Sequence, residues 1–67
     1  MAVELTKREQ EILELIASEL TTEQIAQNLN ISVPTVESHR RNMFRKLGVQ
    51  SVVGLVKEAL KNNWIKV

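Results

Sequence analysis

Cysteine is absent from this sequence of 67 residues, so neither a disulfide framework nor a thiolate metal site is possible. One Phe and one Trp are the only aromatic residues, which argues against a stacking surface for single-stranded nucleic acid. No apolar run approaches the ~20 residues of a membrane-spanning helix. The N-terminus lacks the basic-then-apolar order of a signal peptide. We therefore expect a cytoplasmic protein without membrane contact, cofactor or metal, whose fold depends on packing alone.

Acidic residues are scarce in the second half of the chain. Residues 32–67 contain seven Lys or Arg side chains and two Glu, whereas residues 1–31 contain two basic side chains and six Glu. The net charge of +1 conceals this separation. Segregated positive charge often marks a surface that binds a polyanion, although an ordinary solvated face can have the same pattern.

Local start and stop signals predict four helices and no strand. Four hydroxyl residues stand where they can cap a helix: Thr6, Thr21, Ser32 and Ser51. The first two are followed three residues later by Glu9 and Gln24, the spacing of a capping box. Asn30 and Gly48 tolerate the positive φ of a helix end. The predicted helices span residues 7–18, 22–29, 33–47 and 52–62 of one compact all-α, four-helix domain covering residues 1–67.

Apolar residues that recur at three- and four-residue steps predict the buried face of each helix. In chain order these are Ile12, Leu13, Ile16 and Leu20, then Ile25, Ala26 and Leu29, then Val36, Met43 and Leu47, and finally Val52, Leu55, Val56 and Ala59.

The third predicted helix carries a polar face opposite its apolar one. At ~100° per residue, this face contains Glu37, Ser38, Arg41, Asn42 and Arg45. Such side chains read base edges and hold phosphates in the major groove of DNA. A short helix, a three-residue turn and a longer basic helix form the helix-turn-helix arrangement. The same arrangement also occurs in helical bundles that do not bind DNA.

Several stretches at characteristic spacing closely resemble the LuxR/FixJ-type (NarL-like) DNA-binding domain: "LTKREQEIL", "TTEQIA", "TVESH" and "KLGV". The resemblance covers nearly the whole chain. It implies a LuxR-type helix-turn-helix fold that binds double-stranded DNA in a sequence-specific manner for transcriptional regulation, with the third helix in the major groove. It also implies either the output domain of a two-component response regulator or a small stand-alone regulator.

The resemblance assigns site residues position by position. Base-reading positions fall on Glu37, Ser38 and Arg41. Phosphate-contacting positions fall on Thr22, Thr35, His39, Arg45, Lys46 and Ser51. Two positions depart from the family pattern, because Glu19 stands where glycine is usual and Val52 replaces an arginine.

Catalysis is not expected, and the chain is predicted not to be an enzyme. Glu37, Ser38 and His39 supply a carboxylate, a hydroxyl and an imidazole. Adjacent side chains on a helix point ~100° apart, so these three cannot form a catalytic triad among themselves. A single histidine without cysteine partners also argues against a zinc site.

The fourth predicted helix has more apolar surface than its core stripe needs. The resemblance favours a two-fold contact through Val53, Gly54, Lys57 and Leu60, giving a homodimer on paired DNA half-sites. Because a patch this small cannot bury the area of a stable interface, the free domain is expected to be largely monomeric. The alternative is that Leu60 completes the core near Trp64 and Val53 is an ordinary exposed valine.

Two further functions remain open from the sequence. One is a helical protein-interaction module whose basic face meets an acidic partner. The other is a sigma-factor-like promoter-recognition domain, and RNA polymerase is a candidate partner.

Overall fold

Four helices and no strand make up residues 4–65, the part of the chain that the computed structural model describes. The helices are α1 (Lys7–Ala17), α2 (Thr22–Leu29), α3 (Val33–Leu47) and α4 (Val52–Lys61). The all-α prediction is confirmed, and α2 and α3 have the predicted bounds. Helices α1 and α4 each end one residue earlier than predicted, because Ser18 and Asn62 are their C-caps and not their last helical residues.

The predicted caps start all four helices. The Thr6 hydroxyl accepts from the Glu9 amide at 3.1 Å, and the Glu9 carboxylate accepts from the Thr6 amide at 2.9 Å. Thr21 and Gln24 form the same reciprocal pair at the start of α2. The hydroxyls of the two serine caps accept from amides three residues later in α3 and α4. Local hydrogen bonds therefore determine where each helix begins.

All four helices also end in the same way. The chain turns at a residue with positive φ after each helix, at Glu19 (66°), Asn30 (58°), Gly48 (67°) and Asn63 (59°). The next amide then donates to the carbonyl five residues earlier, as Leu20 N does to Leu15 O at 3.2 Å. This is the Schellman motif, which favours Gly or Asn at the positive-φ position. Glu19 is the exception, since its side chain is poorly suited to that conformation.

The core lies between α3 and the other three helices, all of which α3 contacts. Ile12, Leu13, Ile25, Val36, Met43, Leu55 and Ala59 are fully buried. Leu20, Leu29, Leu47 and Phe44 are partly buried and pack against this cluster. The prediction that Val52 belongs to the core stripe of α4 is wrong: Val52 occupies the first helical position after the cap and remains 40% exposed. The stripe of fully buried residues on α4 therefore begins at Leu55.

The C-terminal segment after α4 folds back on α1. Gln10 Nε2 donates to the carbonyl oxygen of Trp64 at 2.6 Å, and Trp64 and Ile65 pack against the core. Within residues 4–65, no helix has the length and apolar character needed to cross a membrane.

Candidate nucleic-acid interface

The polar face of α3 is exposed to solvent. Glu37, Ser38 and Arg41 are all exposed, as are Asn42 and Arg45. Their three- and four-residue spacing puts them on one side of α3, while Val36 and Met43 are buried on the other. The structure therefore brings the three predicted base-reading residues together on an open helix surface.

Residues at the start of α3 form a small hydroxyl cluster. The Ser32 hydroxyl caps α3 by accepting from the Thr35 amide at 3.2 Å, and the Ser32 and Thr35 hydroxyl oxygens lie 2.7 Å apart. Thr35 is exposed. Pro34 lies in the first turn of α3, where a backbone N–H has no acceptor within the helix, so proline loses no hydrogen bond there. This preference helps to set where α3 begins. Thr35 is therefore held in place while its surface stays accessible.

Arg40 links the middle of α3 to the start of α2. Its Nη1 donates to the Thr22 hydroxyl oxygen at 2.7 Å, and its guanidinium carbon lies 5.9 Å from the centre of the Phe44 ring. Thr22 is the first residue of α2, and both Arg40 and Thr22 are half-buried. The sequence analysis did not identify Arg40 as a site residue. Only the (i, i+4) spacing from Arg40 to Phe44 is visible in the sequence, and it does not indicate Thr22.

Lys46 ties the end of α3 to the start of α1. Its Nζ donates to Glu9 Oε1 at 2.7 Å and to the carbonyl oxygen of Glu4 at 3.3 Å. An ammonium group has three N–H donors, so one remains available for a further acceptor. Lys46 is exposed, as a phosphate contact requires, but part of its charge is already paired inside the domain.

Glu9 is the buried member of this pair, with 4% of its surface exposed. Burial raises the pKa of the Glu9 carboxyl, but hydrogen bonds from Lys46 and the Thr6 amide and the charge of Lys46 outweigh it. The net pKa lies below the ordinary value. Glu9 therefore stays ionised while serving both the cap of α1 and the ion pair with α3, a double role that sequence analysis missed.

The remaining predicted phosphate contacts lie in different environments. Arg45 is exposed on α3, whereas His39 is half-buried. Ser51 is exposed, and its hydroxyl caps α4 by accepting from the Gly54 amide at 3.2 Å. The Ser51 oxygen keeps its own proton for donation to an outside acceptor.

Three of the four predicted dimer residues form an exposed strip on α4, and Gly54 beside them is half-buried. Val53 is 64% exposed, Leu60 is 39% exposed, and Lys57 is also exposed. Leu60 therefore does not complete the core beside Trp64. The close approach that favours glycine at position 54 occurs within the chain, since a Cβ there would lie 3.3 Å from the Val49 Cβ.

Metal-ligating residue types and a surface groove are also present in the described part of the chain. Within residues 4–65, no group of three or more His, Cys, Asp or Glu side chains could hold a metal ion. A surface groove of about 420 Å³ lies between the end of α1 and the C-terminal segment, lined by Glu14, Ala17, Ser18, Asn63, Trp64 and Ile65. None of these residues belongs to α3.

Comparison with known proteins identifies relatives in sequence. The family described as "Bacterial regulatory proteins, luxR family" matches residues 3–59. The "Uncharacterized response regulatory protein YgeK" of Escherichia coli (strain K12) is 50% identical over 58 residues, which cover 87% of this chain and 40% of that protein. The chain thus spans less than half the length of this relative.

Solved structures agree in fold. A structure of the transcription factor GerE superimposes with a TM-score of 0.88 and 33% identity, covering 98% of this chain and 97% of GerE. The VqmA–ligand–DNA complex of Vibrio cholerae matches with a TM-score of 0.87 and 31% identity, covering all of this chain and 29% of VqmA.

The family match, the four-helix fold and the exposed face of α3 lead to the same assignment. LuxR-type domains are DNA-binding parts of transcription regulators and are not enzymes. This chain belongs to the luxR family of bacterial regulatory proteins.

Proposed function

We propose that this chain binds double-stranded DNA in a sequence-specific manner, with α3 in the major groove, as the output domain of a response regulator. The observation that carries the proposal is the exposed face of α3, on which Glu37, Ser38 and Arg41 lie together. The response-regulator context is supported by the similarity to YgeK.

Each base-reading residue has a distinct chemical capacity. The Arg41 guanidinium can donate two hydrogen bonds to O6 and N7 of one guanine. The Glu37 carboxylate can accept from the amino group of cytosine, and the Ser38 hydroxyl can donate or accept. Because these groups project from a helix whose opposite side is fully buried at Val36 and Met43, the core keeps them in a constant relative arrangement.

Contacts to the DNA backbone would set the register of α3 in the groove. The proposed contacts are Thr22, Thr35, His39, Arg45, Lys46 and Ser51, which lie at the start of α2, along α3 and at the start of α4. Contacts of this kind position a protein on the duplex but carry no direct sequence information.

Pairing of two copies on DNA would use the α4 strip of Val53, Gly54, Lys57 and Leu60. Two recognition helices would then reach half-sites about one DNA turn apart. A strip of four residues is far below the area of a stable protein interface. The free chain would therefore be monomeric and pair only when DNA holds two copies together.

The decisive experiment is selection of bound duplexes from a random pool, followed by titration of the enriched duplex and a shuffled duplex at two salt concentrations. The enriched duplex should bind at least ~10³-fold more tightly than the shuffled one. Both affinities should fall as salt rises, because phosphate contacts release counterions. Equal binding to the two duplexes would refute sequence-specific recognition.

A matched pair of variants locates the binding face. Arg41→Ala removes a guanidinium from α3, whereas Arg8→Ala removes one from α1, where Arg8 pairs with Glu11 at 3.6 Å. Arg41→Ala should reduce binding to the enriched duplex by ~1–3 kcal/mol, and Arg8→Ala should leave it nearly unchanged. The reverse ranking would assign the interface to a different face of the domain.

A further inference from the structure

The contact between Arg40 and Thr22 has a chemical consequence for the hydroxyl group. A guanidinium donates hydrogen bonds and cannot accept one, so the Thr22 oxygen must be the acceptor over the 2.7 Å between them. One lone pair of that oxygen is then occupied by α3. Arg40 cannot take the hydroxyl proton, so the proton must point elsewhere.

Within residues 4–65, the Thr22 hydroxyl proton has no acceptor. A threonine within a helix often donates to the carbonyl four residues earlier. Thr22 is the first residue of α2, so the carbonyl four residues earlier belongs to Ser18, before the turn at Glu19. Among residues 4–65, Arg40 provides the hydrogen bond to this hydroxyl, and no protein acceptor receives its proton.

Phe44 makes a second contact with the Arg40 guanidinium. Its ring lies one helical turn along α3, with the Arg40 guanidinium carbon 5.9 Å from the ring centre, and the ring packs against the core. An arginine over an aromatic face at this distance is held by a cation–π attraction. The guanidinium is thus held against the partly buried Phe44 ring while its Nη1 reaches Thr22 on α2.

We propose that Arg40 is a positioning residue for the DNA backbone, which orients the Thr22 hydroxyl so that its proton is donated to a phosphate oxygen. This rests on the proposed function, in which Thr22 is a phosphate contact. Arg40 acts through Thr22, and its charge need not touch the phosphate. The contact also joins the proposed phosphate contact on α2 to the helix that carries the base-reading face.

The test is a cycle of four proteins: the unchanged chain, Thr22→Val, Arg40→Lys and the double variant. Valine has the shape of threonine without the hydroxyl. Lysine keeps the positive charge, but its side chain is one bond shorter and lacks the planar fork, so the contact with Thr22 is lost. Affinity for the enriched duplex is measured for each protein, with thermal unfolding as the check on folding.

Each single variant should bind about tenfold more weakly, the effect of one hydrogen bond to a charged acceptor. The double variant should bind no more weakly than Thr22→Val. The proposal would be overturned if Arg40→Lys reduced the affinity by the same factor in the unchanged chain and in Thr22→Val, because Arg40 would then act independently of Thr22. Thr22→Ser, which keeps the hydroxyl, should retain most of the affinity.

Duplexes with single neutral methylphosphonate linkages provide a readout that a purely structural role would not change. Replacing one particular phosphate by a methylphosphonate should weaken binding of the unchanged chain. The same replacement should have no effect on the affinity of Thr22→Val or of Arg40→Lys. Retained sensitivity in Arg40→Lys would refute the positioning role. If the unchanged chain did not prefer the enriched duplex, the proposed function itself would be refuted. Additive losses of affinity in a chain that does prefer it would refute only the positioning role of Arg40.

Discussion

Replacing Glu19 by glycine should make the domain more stable. Glu19 occupies the positive-φ position of the Schellman motif after α1, with φ of 66°. A residue with a Cβ pays ~1–2 kcal/mol in the left-handed region, and a negative charge beyond a helix C-terminus costs ~0.3–1 kcal/mol. Glycine loses ~0.5–1 kcal/mol through the greater freedom of the unfolded chain. The difference is a gain of about 1 kcal/mol, or ~4–8 °C in Tm for a domain of this size.

Urea and thermal unfolding, followed by circular dichroism of the helices, measure this gain. Glu19→Gln removes the charge but keeps the unfavourable backbone, so it should gain only the ~0.3–1 kcal/mol that the charge costs and remain less stable than Glu19→Gly. Ser18→Gly is the matched control, because Ser18 has an ordinary φ of −86° and its hydroxyl donates to the Glu14 carbonyl. That variant should lose stability. If Glu19→Gln gained as much as Glu19→Gly, the charge and not the backbone would be responsible.

Three other predictions concern binding, pairing and pH. Arg41→Ala should relax selectivity at one base pair, whereas Lys46→Ala should weaken binding to all duplexes alike and lower the salt slope by about one unit. Titrations of both variants over a salt series measure the two effects. Equal losses on preferred and random DNA for Arg41→Ala would contradict its assignment as a base-reading residue. Val53→Glu should leave thermal unfolding and half-site binding unchanged but abolish cooperative binding to a duplex with two half-sites. Unchanged cooperativity would show that the α4 strip is not the contact between the two copies. Because the pKa of Glu9 is lower in the folded chain, its contribution to stability is complete above the unfolded pKa of ~4.3 and is lost as the pH falls through the folded pKa. Glu9→Gln should cost ~1–2 kcal/mol at neutral pH and reduce the loss of stability in acid, as measured by urea unfolding between pH 7 and pH 2.

The starts of the helices were predictable because their signals are local. The hydroxyl of Thr6, Thr21, Ser32 or Ser51 bonds to an amide only three residues away, so the interaction forms within one turn. The same holds for the turns at Asn30 and Gly48. The exposed face of α3 was also predictable, since helical periodicity alone separates Glu37, Ser38 and Arg41 from the buried side.

Pairings between helices could not be predicted in this way. Lys46 and Glu9 are 37 residues apart, and Arg40 and Thr22 are 18 residues apart. Each pair meets only because α3 crosses α1 and α2 at particular positions. The fit of Gly54 against Val49 likewise depends on how the turn before α4 folds back on the helix.

The sequence by itself determined the four helices, their caps and the polar face of α3, since periodicity and capping act within one or two helical turns. Tertiary structure alone decided that Val52 stays exposed, that Glu9 is the buried partner of Lys46 and that Arg40 contacts Thr22. The physical reason is that burial and long-range hydrogen bonds depend on the crossing of whole helices, which arises from the packing of all core side chains together.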